Sequence, residues 1–103
     1  MENYKEILAL DTLYEVAKRG GSSASEQLEP SFWVSDGSVD VYVSNSLTQP
    51  TALSEMTLDT DDVAIGGIRQ FGVIPTYILV KQNTGSSTEV VVAGLEVEEL
   101  GVI

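Results

Sequence analysis

Residues 31–44, Ser-Phe-Trp-Val-Ser-Asp-Gly-Ser-Val-Asp-Val-Tyr-Val-Ser, constrain the fold more than any other stretch of this chain. Two runs of alternating residues flank Asp36-Gly37. Asp-Gly suits a type I′ turn, in which both central residues need positive φ. A two-residue hairpin sets Ser35 opposite Ser38, Val34 opposite Val39, Trp33 opposite Asp40 and Phe32 opposite Val41. Phe32, Val34, Val39, Val41 and Val43 then share one face, and Trp33, Asp40, Tyr42 and Ser44 share the other. A slip of one residue would scramble that segregation. The prediction is antiparallel β structure with an apolar inner side and a mixed, aromatic outer side.

The rest of the chain repeats this vocabulary. Thr76-Tyr77-Ile78-Leu79-Val80-Lys81 and Glu89-Val90-Val91-Val92-Ala93 are dense in β-branched and aromatic residues, and Asn83 to Ser87 between them form a hairpin-type loop. Gly94 marks a bulge or bend. Leu95, Val97 and Leu100 then alternate with Glu96 and Glu98 as a strand with one wet face. Thr51 to Leu58 hold a helical turn near Ser54-Glu55-Met56 or a short edge strand, and Asp59-Thr60-Asp61-Asp62 read as an acidic turn. Gly66-Gly67 read as a turn or bulge.

Residues 1–20 fit a helical stripe through Tyr4, Ile7, Leu8 and Tyr14. They also fit an edge strand over 12–18, which the β character of everything downstream favours. Gly20 to Ser25 are a flexible connector by composition. With six to eight short strands, regular turn signals and no βαβ alternation, the expected fold is all-β: an antiparallel β-sandwich, with a jelly roll as one form of it. Residues 1–28 would be an N-terminal arm or edge element and 29–103 the sandwich domain.

Composition removes several function classes. The 103 residues include 16 acidic and 5 basic side chains, for a net charge of −11. Phosphate backbones and anionic membranes both attract Lys and Arg, so neither nucleic acid nor membrane is an expected partner. The chain has no His and no Cys, so the commonest general base, the usual zinc ligand and the thiolate nucleophile are all missing. No segment approaches the roughly 20 apolar residues of a membrane-spanning helix, and residues 1–20 lack the apolar run of a signal peptide. Neither cofactor nor metal is expected. Asp59-x-Asp61-Asp62 places carboxylates at alternating positions, yet counting from Asp59 the EF-hand glycine position is Ala64 and the closing glutamate position is Gln70. A solvated acidic segment explains it better than a calcium loop. Sixteen acids make a glycosidase-type pair trivially available, so that pattern carries no weight.

Two features remain as candidate contacts. On the hairpin register, Trp33 and Tyr42 lie diagonally on one face, within aromatic reach. That pair is either covered by the chain itself or exposed as a protein contact, since Trp and Tyr anchor interfaces. A carbohydrate-stacking platform is the third use. Leu13 and Tyr14, in the N-terminal segment, are the other interface candidates if that segment docks on a neighbouring subunit.

The run Phe32 to Asn45 resembles small virion proteins of tailed bacteriophages. So do Pro50, Met56, Tyr77 within a strand, Thr84-Gly85-Ser86-Ser87 and Gly94-Leu95-Glu96-Val97. The resemblance covers about residues 31–100 and its motifs are general β vocabulary. It implies a non-enzymatic head decoration (cement) protein that binds a major capsid protein and itself, commonly as a homotrimer. Such a protein would be assembled in the host cytoplasm and end in the virion. A head–tail adaptor or tail accessory protein is the related alternative, and a carbohydrate-binding sandwich module the unrelated one. The resemblance transfers no functional residue, because such proteins act through surfaces.

Overall fold

A computed structural model describes residues 5–19, 31–63, 67–68 and 75–103. Among these residues nine strands follow in chain order: β1 (Lys5–Leu8), β2 (Thr12–Arg19), β3 (Ser31–Val34), β4 (Ser38–Ser44), β5 (Thr57–Val63), β6 (Gly67–Ile68), β7 (Tyr77–Thr84), β8 (Val90–Ala93) and β9 (Leu95–Val102). A 3₁₀ turn, Leu53–Glu55, precedes β5. The strands form two antiparallel sheets, one ordered β1-β8-β3-β6 and the other β5-β4-β7-β2-β9.

That order has a simple origin. If the first eight strands are laid out as one long hairpin, β1 meets β8, β2 meets β7, β3 meets β6 and β4 meets β5. All four pairings are present. Rolling the hairpin up adds β3 to β8 and β4 to β7. This is the eight-stranded jelly roll, with β9 added beside β2 on the larger sheet. The expected all-β sandwich is therefore the fold, in its jelly-roll form.

The pairing within residues 31–44 departs from the predicted hairpin. β3 lies in the four-stranded sheet and β4 in the five-stranded one, so Asp36-Gly37 carries the chain across the sandwich. Gly37 has φ +66° while Asp36 does not have positive φ, so the type I′ geometry is not adopted. Residues 77–93 behave the same way, with β7 and β8 in opposite sheets. Gly94, at φ 97°, returns the chain from one sheet to the other in a single residue. The inward set is nevertheless the predicted one. Phe32, Val34, Val39 and Val41 are buried between the sheets with Tyr14, Ile78, Val80, Val90, Val92 and Leu95, and Val43 packs beside them.

The two crossings nest against each other. Ser35 Oγ accepts from the Thr88 and Glu89 amides at 2.8 and 3.1 Å, and Asp36 Oδ2 accepts from the Ser86 amide at 2.7 Å. Gln82 Nε2 donates to the Ser38 carbonyl at 3.0 Å, and its Oε1 accepts from the Ser87 amide at 2.8 Å. Loop amides that no ladder reaches are satisfied this way.

A second, smaller core sits on the outer side of the five-stranded sheet. Leu13, Met56, Tyr77 and Leu79 are buried there, with Tyr42, Leu53, Leu100 and Ile103 packed around them. β9 supplies Leu100, which lies an odd number of residues from Leu95 and Val97 and so turns to the outer side by strand alternation.

The N-terminal expectations need two corrections. Residues 12–18 do form a strand, but β2 lies between β7 and β9 and is not at an edge. Residues 5–19 belong to the sandwich itself, so no arm separates from it over that range, while β1 is an edge strand of the four-stranded sheet, as the edge-element alternative has it. Asp59 to Asp62 lie within edge strand β5 and not in a turn. The connector at 20–25 and Gly66 fall outside the described residues.

Candidate functional site

The four predicted contact residues do not converge. Trp33 is on β3 and Tyr42 on β4, in opposite sheets, so the diagonal aromatic pair does not exist. Tyr42 is half-buried against the outer core of the five-stranded sheet. Leu13 is fully buried in that core, and Tyr14, one residue on, points the other way into the space between the sheets. Covered by their own chain, these two offer no surface for a neighbour. Tyr14 also serves its own strand's surroundings, because its hydroxyl accepts the Ala9 amide at 2.7 Å. Desolvation by burial pushes the Tyr14 hydroxyl pKa above the usual tyrosine value, partly opposed by that backbone hydrogen bond.

Of the four, Trp33 is the most open, at 43% exposure. Strand alternation explains it, because Phe32 and Val34 turn inward and leave Trp33 on the outer side of the four-stranded sheet. Register gives it neighbours the sequence did not announce. Trp33 pairs with Val91 on β8, and Val91 pairs with Ile7 on β1. Ile7 is 66% exposed and Val91 partly so. An apolar row Ile7–Val91–Trp33 therefore crosses three strands on the outside of the molecule. The next row is Lys5–Ala93–Ser31. Beyond the other side of the apolar row stands Glu89, two residues before Val91 and exposed.

Lys5, Trp33, Glu89 and Val91 line a shallow hollow of about 350 Å³. It offers one aromatic wall, one aliphatic floor, a cation and an anion. Such a surface can bury an apolar partner and orient it with two charges of opposite sign. The chain has no His or Cys to add to this set.

Met56, Leu53 and Ile103 close over part of the outer side of the larger sheet, where Leu58 stays 46% exposed, and the outer side of the smaller sheet keeps Ile7 and Trp33 open to solvent. Among the described residues, no group of three His, Cys, Asp or Glu side chains could hold a metal ion, and no helix is long and apolar enough to cross a membrane.

Comparisons with family models, with curated proteins and with solved structures find no match to this chain.

Proposed function

We propose that this chain is a non-enzymatic virion structural protein of a tailed phage. In this reading it is a head decoration protein that binds and stabilises a capsid lattice through its exterior and assembles with copies of itself. The observation that carries the reading is the Ile7–Val91–Trp33 row, exposed on a face that the other described residues leave uncovered. Large apolar side chains grouped on an otherwise acidic surface mark contact sites, and Trp is among the commonest interface anchors. Jelly rolls serve as viral capsid domains and also as lectins, so the fold is compatible with the reading and the face must decide it.

The mechanism is adhesive. Burying the row between neighbouring copies held on a shell adds binding energy at each site, and repeated copies on a lattice multiply it. The test is co-sedimentation of the purified chain with phage heads. Wild-type chain pellets with heads, and Trp33→Ala weakens binding by about 30-fold, the effect of losing an anchor worth about 2 kcal/mol. Absence of binding to any head overturns the reading, and binding to tails instead moves the protein to the head–tail or tail accessory class.

The hollow favours one second reading. An aromatic wall between Lys5 and Glu89 also suits a saccharide, whose apolar face stacks while its hydroxyls meet the charges. Glycan binding by the isolated chain that Trp33→Ala abolishes, with no affinity for heads, would favour it.

A further inference from the structure

We infer that the outer face of the four-stranded sheet is a two-fold contact between two copies of this chain. The inference rests on the surface-binding reading above and names the partner that this face takes. Three features of the face lead to it.

The first is charge. The chain carries −11, so two copies repel each other across most orientations. The outward positions of β1, β3 and β8, with Glu89 just before β8, are Lys5, Ile7, Ser31, Trp33, Glu89, Val91 and Ala93. They hold one cation and one anion, so this is a face on which like copies can meet without net repulsion.

The second is self-complementarity. In a two-fold contact each residue's partner is fixed by the axis. An axis lying in the face along the Ile7–Val91–Trp33 row sets each of these residues against its own copy. It also exchanges the rows on either side. Glu89 then faces the second copy's Ala93, whose cross-strand neighbour is the second copy's Lys5. Symmetry repeats the pairing, so two Lys5–Glu89 ion pairs flank a continuous apolar seam. An axis along the strands would instead set Glu89 against Glu89, and that repulsion disfavours it.

The third is shape. The face is a β-sheet surface, and two such surfaces stack about 10 Å apart with interlocking side chains. Strands about 4.8 Å apart and about 3.4 Å per residue make this three-strand, three-row patch about 10 by 14 Å. That is well below the roughly 800 Å² per partner of a standard interface. The contact is therefore a weak, reversible dimer that gains strength when copies are held together on a lattice.

Sedimentation velocity of the full chain, from low micromolar to several hundred micromolar, tests the inference. A monomer–dimer equilibrium is expected. Ile7→Glu abolishes the dimer while leaving the thermal midpoint near wild type, because Ile7 is exposed in the monomer. Lys5→Glu and Glu89→Lys each weaken association about tenfold, and the double exchange restores it to within about threefold. A monomer at every concentration, a trimer, or a double exchange as weak as either single change would overturn the dimer. The same samples are spun with heads. Head binding by a chain that stays monomeric overturns this inference and leaves the decoration reading standing. A dimer that ignores heads does the reverse.

Discussion

Replacing Gly37 tests the claim that the two sandwich crossings interlock. Gly37 sits at φ +66°, and a Cβ there would lie 1.8 Å from the Thr84 carbonyl oxygen and 2.5 Å from its carbon. Those are backbone atoms at the end of β7, so no rotamer change relieves the clash. The left-handed backbone itself costs alanine about 1–2 kcal/mol. Relieving the overlap means pulling the crossings apart, which weakens the hydrogen bonds from Ser86 to Asp36 and from Thr88 and Glu89 to Ser35. At about 1 kcal/mol for each bond strained, less for exposed ones, Gly37→Ala should cost about 3–5 kcal/mol in total. That is a large share of the roughly 5–15 kcal/mol that holds a domain of this kind. Urea unfolding followed by far-ultraviolet circular dichroism measures it. Asparagine tolerates the left-handed region better than alanine, so Gly37→Asn separates backbone preference from collision and should be no better than Gly37→Ala. At Gly85, also left-handed, the nearest obstacles are Asp36 Oδ2 at 2.8 Å and the Gly37 Cα at 2.8 Å. Part of that obstruction is a side chain that can move, so Gly85→Ala is the milder variant if Gly37→Ala does not fold. A loss below about 1 kcal/mol for Gly37→Ala, or recovery with asparagine, would refute the interlock.

Two further predictions concern single side chains. Tyr14→Phe removes the acceptor for the Ala9 amide and should cost about 1–2 kcal/mol by urea unfolding. Its second signature is pH. Burial raises the Tyr14 pKa in the folded state, so above pH 10 the unfolded chain gives up that proton first, and stability present below pH 10 is lost as pH rises through the folded value. Wild type should therefore lose stability above pH 10 more steeply than Tyr14→Phe. Equal slopes would contradict the assignment. Asp11 adopts φ 59° and bonds Lys81 Nζ at 2.8 Å, with both side chains 40–51% exposed. An ion pair this wet is worth less than about 1 kcal/mol. Asp11→Asn, which keeps a residue suited to that φ, should stay within about 1 kcal/mol of wild type, and Asp11→Ala should cost more. Equal losses for the two variants would mean that the ion pair and not the backbone conformation dominates.

The fold was legible in side-chain alternation but not in strand pairing, and Phe32, Val34, Val39 and Val41 show why. Alternation reports only which residues seek the core. If two strands lie side by side, their inward residues point to the same side of one sheet. If they lie across a sandwich, the same residues point at each other through the core. The sequence of 31–44 satisfies both equally, and Asp36-Gly37 suits a tight hairpin in isolation. What selects the crossing is distant in sequence. Val90 and Val92 take the places beside β3, and Ile78 and Val80 take those beside β4. The hydroxyl-rich segment Ser86-Ser87-Thr88 then supplies partners for Ser35 and Asp36 that a free hairpin would not need. Leu13 and Tyr14 show the same limit. An apolar pair in an N-terminal segment reads as a docking arm, but each fills a different core because β2 is buried on both sides.

The candidate face was half legible for a related reason. Trp33 stood out because a large aromatic at an outward position, between two inward residues, has no intrachain partner on its own strand. Ile7 and Val91 gave no such signal. Ile7 sits in a run that fits a helix as readily as a strand, and Val91 lies inside Val90-Val91-Val92, where alternation is invisible. Only the pairing of β1 and β3 on either side of β8 turns the three positions into one row. The jelly roll brings residues 5–8, 31–34 and 90–93 side by side because rolling a long hairpin joins its ends to its middle. A surface built this way has no linear motif. Loss of binding by Ile7→Glu, far from Trp33 in sequence but in its row, therefore tests the topology as directly as it tests the interface.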